Sequence, residues 1–153
     1  MGLFRKSKEE KEIERVNKTD SWFNEGIALN KQERHKEAIA CYDKIIKLNP
    51  EFLNAWINRG DSLEKIGRYE EARACFDEAI ELDPQNLILW LKKGISLYKL
   101  ERYEESILCF DELIRLEPEH SSRWHNKGDT LKKLGKDEEA EECFAKAKEL
   151  AES

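Results

Sequence analysis

Four cysteines and three histidines are the side chains best suited to chemistry in this chain, and their spacing decides what they can do. Cys41, Cys75, Cys109 and Cys143 are each 34 residues apart. Such residues can pair, hold zinc or act as nucleophiles. An equal, long spacing places them at equivalent points of successive units, about 8–10 Å apart if helix packing sets the step. A disulfide needs Cα atoms within about 7 Å. Zinc sites bring ligands together as C-x2–4-C, a spacing the chain lacks. The cysteines therefore read as small packing residues with free thiols, suited to a reducing compartment. His35, His120 and His125 show no ligand spacing. The sequence holds no G-x-G-x-x-G, P-loop, H-E-x-x-H or G-x-S-x-G. Asp43, Asp77 and Asp111 recur at the same step and read as solvated faces. We expect no enzyme activity, metal site or cofactor.

The elements that carry these residues repeat. Trp22, Trp56, Trp90 and Trp124 keep the 34-residue step, as do Gly26, Gly60, Gly94 and Gly128 and Leu29, Leu63, Leu97 and Leu131. A fixed period of this length means stacked supersecondary units. Within residues 53–86, Trp56, Gly60 and Leu63 fall at i, i+4, i+7 and define one helical face. Ala72, Phe76 and Ala79 define a second. Gly67 between them suits a left-handed helix end. Pro84 ends the unit, because it cannot continue a helix and disfavours helical geometry at Asp83. Each repeat is thus helix A, a tight turn, helix B and a Pro-marked turn, with helix A about 14 residues and about 21 Å long. Gly60 and Ala72 allow close approach of the two helices, so a bulky residue at Gly60 or Gly94 should overpack.

The chain has 153 residues, 39% of them charged and 39% apolar, and a net charge of −6. It is acidic without being disordered in composition. Lys and Arg are scattered and outnumbered, which argues against neutralising nucleic-acid phosphates. No apolar run reaches the length of a membrane span. The N-terminal residues lack an apolar signal core, and Lys6 occupies the Ser/Thr position of a myristoylation pattern. The expected location is cytoplasmic. Residues 1–18 carry +2 and the remainder −8. With Ile13 and Val16 as the only apolar pair at helical spacing, this extension reads either as a partly helical or frayed segment covering the first repeat or as an attachment arm.

These residues resemble the tetratricopeptide repeat (TPR) pattern, W-x2-L-G-x2-Y, then A-x3-F, then P, over 34 residues. Trp56, Gly60, Leu63, Ala72, Phe76, Ala79 and Pro84 carry it in one copy; Trp90, Gly94, Leu97, Ser106, Phe110 and Pro118 in the next. Trp22, Gly26, Leu29, Ala38, Tyr42 and Pro50 precede them, and Trp124, Gly128, Leu131, Ala140, Phe144 and Ala147 follow. The four copies span 19–52, 53–86, 87–120 and 121–153. The Leu before each Gly is replaced by Glu25, Arg59, Lys93 and Lys127, whose stems are expected to lie over the apolar seam with their charges in water. The final helix, polar on its outer side, reads as the capping end.

The resemblance implies an all-α, right-handed superhelical solenoid of antiparallel helix pairs. It also implies that helix A residues line a concave groove that holds a peptide or helix of a partner protein. The residues on that face differ between copies. Repeat 3 offers Ile88, Leu91, Ile95 and Tyr98, extended by Ile57, Phe23 and Ile27, with Asn58, Lys92 and Lys99 beside them. An apolar patch rimmed by charge suggests a partner site, unless a tight superhelix or the N-terminal arm buries it. Asp61 and Asp129 are expected to pair with Lys65 and Lys133 four residues on, leaving Lys31 and Lys99 either as a solvated edge or for ligand carboxylates. Members that clamp chaperone C-termini need Lys and Asn on the first groove helix, Asn on the second, and Lys and Arg on the third. Phe23, Ile27, Asn58, Ile88 and Lys92 stand there, so no such clamp is expected.

The expected function is a protein–protein interaction module or scaffold. The alternatives are a self-assembling structural protein that stacks through its repeat ends, making a homo-oligomer, or an accessory subunit of an enzyme complex.

Overall fold

The computed structural model describes residues 6–153. Met1–Arg5, part of the 1–18 extension, lie outside the described residues. Among the described residues there are eight α-helices and no strand. They are α1 (Lys8–Lys31), α2 (His35–Leu48), α3 (Leu53–Lys65), α4 (Tyr69–Leu82), α5 (Leu87–Lys99), α6 (Tyr103–Leu116), α7 (Ser121–Lys133) and α8 (Asp137–Glu152). Each helix packs on the next, and the pairs build a right-handed superhelical solenoid with the odd-numbered helices side by side. None of the helices is long and apolar enough to cross a membrane.

The turn between the helices of a pair is the same in all four. One residue takes the left-handed conformation: Glu33 (φ 60°), Gly67 (φ 76°), Glu101 (φ 58°) and Gly135 (φ 74°). The next amide then closes on the carbonyl five residues earlier, as Arg68 does on Leu63 at 2.9 Å. The basic residue that opens each even helix pairs with a Glu three residues on, at Arg34–Glu37, Arg68–Glu71, Arg102–Glu105 and Lys136–Glu139. Acidic side chains in the first turn also suit the helix dipole.

The tryptophans link each turn to the helix that follows. Trp56, Trp90 and Trp124 donate their indole N–H to the carbonyls of Pro50, Pro84 and Pro118 at 2.7, 2.9 and 2.9 Å. The column therefore does more than fill space between units: it fixes the angle at which the chain enters each odd helix. The aromatic ring of the even helix sits under the glycine of the odd helix. Tyr42 and Phe76 are fully buried, with Phe110 nearly so. A Cβ on Gly26, Gly60 or Gly128 would lie 2.7, 2.5 or 2.6 Å from the ring of Tyr42, Phe76 or Phe144. The close partner of these glycines is thus the ring rather than the small residue at position 72.

Residues 8–18 do not form a separate piece. Helix α1 runs unbroken for 24 residues, about 36 Å at 1.5 Å per residue. It starts from a capping box in which Ser7 accepts from the Glu10 amide and Glu10 accepts from the Ser7 amide. Ile13 and Val16 remain exposed on this projecting stretch, so it continues the axis of α1 and does not fold over the first repeat.

Candidate functional site

The residues expected to line a groove all lie on the odd helices. Of the residues that the sequence placed there, two are held by the scaffold. Phe23 packs edge-on against Phe52 at 5.4 Å and tilts against Tyr42 at 6.2 Å. Ile57 packs in the seam that holds Ala79 and Leu89. Asn58 donates to the Asn54 carbonyl of its own helix at 2.8 Å. Ile27 is half-buried.

Helix α5 differs. Ile88 is 60% exposed and Ile95 40%, with half-buried Leu91 between them and Lys99 exposed at the helix end. Tyr98 meets Tyr103 edge-on at 5.5 Å. A cavity of about 190 Å³ opens beside them, lined by Ile95, Tyr98, Phe110, Asn126, Asp129 and Thr130. So the structure brings Ile95 and Tyr98 together with four residues outside the sequence-derived set. Phe110 read only as scaffold. Asn126 and Asp129 come from α7, the next odd helix. The signal was available in comparing columns across helices: Asn126 is the repeat-4 counterpart of Lys92.

Three charge readings need correction. The basic residues before the glycines do not extend into water. Arg59, Lys93 and Lys127 pair with Asp43, Asp77 and Asp111 of the preceding even helix, each at 2.6 Å. Those aspartates are therefore a seam of cross-repeat ion pairs, and not merely solvated faces. Asp61 pairs with Lys92 of the next odd helix at 2.5 Å rather than with Lys65. Asp129 lies 3.5 Å from the His125 ring instead of pairing with Lys133. For Asp61 and for the three basic residues, a neighbouring helix offers a closer partner than the next turn of the same helix; Asp129 turns instead to the preceding turn of its own helix.

The cysteines are buried and unpaired. Burial raises their thiol pKa values, that of Cys109 to about 11. Among the described residues, no group of three or more His, Cys, Asp or Glu side chains is gathered as for a metal ion.

Known proteins share this architecture. MamA 41-end from Desulfovibrio magneticus RS-1 superposes with a TM-score of 0.80 at 24% identity, covering 88% of this chain and 76% of that one. A second MamA crystal structure gives 0.82 at 19% identity, over 88% and 73%. The first TPR of Spaghetti (RPAP3), bound to the HSP90 peptide SRMEEVD, gives 0.71 at 20% identity, over 78% and 94%. At these identities the likeness is one of fold. No curated protein sequence matches the chain significantly. Models of the tetratricopeptide repeat match residues 23–86, 67–128 and 121–153. With the helix pairs and the repeated columns in agreement with those matches, this chain belongs to the tetratricopeptide repeat family.

Proposed function

We propose that the chain is a protein-interaction scaffold that holds a peptide or helix of a partner against α5 in its groove. One observation carries this reading: Ile88 and Ile95 stay open to solvent on a helix whose other large apolar residues are packed. Two exposed isoleucines and a half-buried leucine on one face are suited to anchoring the apolar side of a partner segment. The segment differs from the one seen with the Spaghetti (RPAP3) repeat. Phe23, Ile27 and Ile88 stand at clamp positions, and the amine of Lys92 is already engaged by Asp61.

Four free thiols, all buried, support a reducing compartment and hence a cytoplasmic location. The net charge of −6 favours a protein partner over nucleic acid. The role is binding rather than catalysis.

Leu91→Glu tests the groove. Captured partner from native lysate should fall about tenfold or more, a loss typical of a buried anchor, with far-UV circular dichroism unchanged. Ile88→Glu, at a more exposed position, should do the same with no cost to folding. Undiminished capture by both variants would refute the assignment.

A further inference from the structure

The space between successive odd helices occurs three times, and its occupants compare position by position. Each slot has an aromatic floor: Tyr42, Phe76 or Phe110. Between α1 and α3, Ser62 Oγ donates to Asn30 Oδ1 at 2.9 Å, and Asn30 Nδ2 reaches the Tyr42 hydroxyl at 3.2 Å. Between α3 and α5, Ser96 Oγ donates to Glu64 at 2.6 Å. In the same slot the Lys92 amine meets Asp61 at 2.5 Å and lies 5.9 Å from the centre of the Phe76 ring. Both slots are closed from within, the second by a cation resting on an aromatic ring beside a carboxylate.

The third slot is not closed. Among the described residues no side-chain hydrogen bond or ion pair crosses from α5 to α7. Asn126 stands where Lys92 stands, and is too short to reach over the ring. Tyr98 stands where Asn30 and Glu64 stand, but turns to Tyr103. Thr130, the counterpart of Ser62 and Ser96, donates to the Asn126 carbonyl of its own helix at 2.7 Å. What is left is the cavity of about 190 Å³ described above.

We propose that this third slot takes a lysine or arginine side chain of the partner, so that the segment recognised is basic and amphipathic. The proposal rests on the groove reading. The chain carries the template: in the preceding slot a lysine fills the same space over the same kind of ring. Ile95 and Tyr98 offer walls for an aliphatic stem. The Phe110 ring can receive the cation on its face, and Asp129 supplies the carboxylate. Asp129 is available for this, since its nearest basic group is the His125 ring at 3.5 Å. Ile88 and Leu91 then receive apolar residues of the same segment. Asp20, Glu64 and Asp129 lie on the face the segment would cross, Asp61 being already neutralised by Lys92, and this balance favours positive charge. Lys99 and Lys132, towards the C-terminal ends of α5 and α7, offer the opposite sign, and an acidic segment is therefore the competing outcome.

The test is selection of random twelve-residue peptides displayed on phage against the intact chain. Fluorescence anisotropy then follows the best sequence as a labelled synthetic peptide. We expect Lys or Arg within a turn or two of apolar residues. Replacing that basic residue by norleucine should weaken binding about tenfold, as should Asp129→Asn in the protein. Asn126→Lys supplies the missing cation internally and should abolish the preference for a basic peptide; thermal melts confirm that both variants fold. Acidic or purely apolar enriched sequences, equal binding of the norleucine peptide, or indifference to Asn126→Lys would overturn the proposal. Peptides sensitive to Leu91→Glu but not to Asn126→Lys would leave the groove standing and remove the slot. Peptides indifferent to Leu91→Glu, or no enrichment at all, would remove both.

Discussion

At Gly60 a Cβ would stand 2.5 Å from the Phe76 ring, a distance real Cβ atoms do not tolerate; at Gly94 the equivalent distance to Phe110 is 3.1 Å. The ring under repeat 3 sits lower, and Ser106 replaces the alanine of the other repeats, donating to the Gly94 carbonyl at 2.7 Å. Gly60→Ala should therefore cost about 1–3 kcal/mol through overpacking. Gly94→Ala should be close to neutral, because the helix propensity gained, about 1 kcal/mol, offsets a small shift of the ring. Urea titrations of both variants check this, and equal costs would show that the rings are equally tight. Tyr42 provides a pH prediction at the same scale. Burial is the main cause that pushes its phenol up to about 12 from the usual 10, against a hydrogen bond from Asn30 that acts the other way. The folded state therefore favours the neutral form. That contribution is whole below pH 10 and is lost as pH rises towards 12. Tyr42→Phe should lose about 0.5–1.5 kcal/mol at neutral pH with its hydrogen bond. Between pH 10 and 12 its stability should fall less steeply than that of the parent, as read from parallel urea titrations. Parallel curves would show that the phenol ionises as easily folded as unfolded.

Between elements, the aspartate of one even helix holds the basic residue of the next odd helix at all three seams. A double-mutant cycle on Asp77 and Lys93 should give a coupling of about 0.2–1 kcal/mol, the range for pairs that remain partly in water. It should shrink as salt rises; a coupling of zero at low salt would make the seam purely apolar. This ladder marks where reading the sequence stopped. Periodicity within one helix made the helices, their turns and the glycine, leucine and tryptophan columns legible, since each depends on neighbours at i+3 or i+4 or on local backbone chemistry. The partners of Arg59 and Lys93 lie 16 residues back, on another helix, at a separation no helical period announces. The same limit applies to the groove. Ile88 and Ile95 were legible as an apolar face, whereas the diversion of Phe23 to Phe52 and the cavity shared with Asn126 and Asp129 follow from how helices sit side by side. Glu33 and Glu101 show the converse: a turn that Gly67 and Gly135 make easily is imposed on glutamates by the helices around it.

At the scale of the whole molecule, the ladder ends at both termini of the stack. Glu25 occupies the place of Arg59, Lys93 and Lys127, and Ala145 that of Asp43, Asp77 and Asp111. On α8, Lys148 stands in the column of Ile46, Ile80 and Ile114, and Glu141 in that of Ile39, Arg73 and Ile107. One copy stacked on another would set Ala145 against Glu25 with no ion pair between them. The chain should thus stay monomeric by light scattering across a concentration series, while the pair Glu25→Lys and Ala145→Asp should promote head-to-tail association. Growth of the parent chain with concentration would restore the self-assembling alternative. The open slot between α5 and α7 has a consequence for cooperativity. In a solenoid, stability passes only from neighbour to neighbour, and among the described residues α7 meets α5 without the side-chain bonds that link α1 to α3 and α3 to α5, leaving the contacts with α6 to hold the last repeat. Repeat 4 is then the unit whose opening costs least. A partner side chain lodged between α5 and α7 would supply the absent tie, and binding would be felt as a stiffening of the terminal repeat, out to the end of α8 that the ligand does not touch.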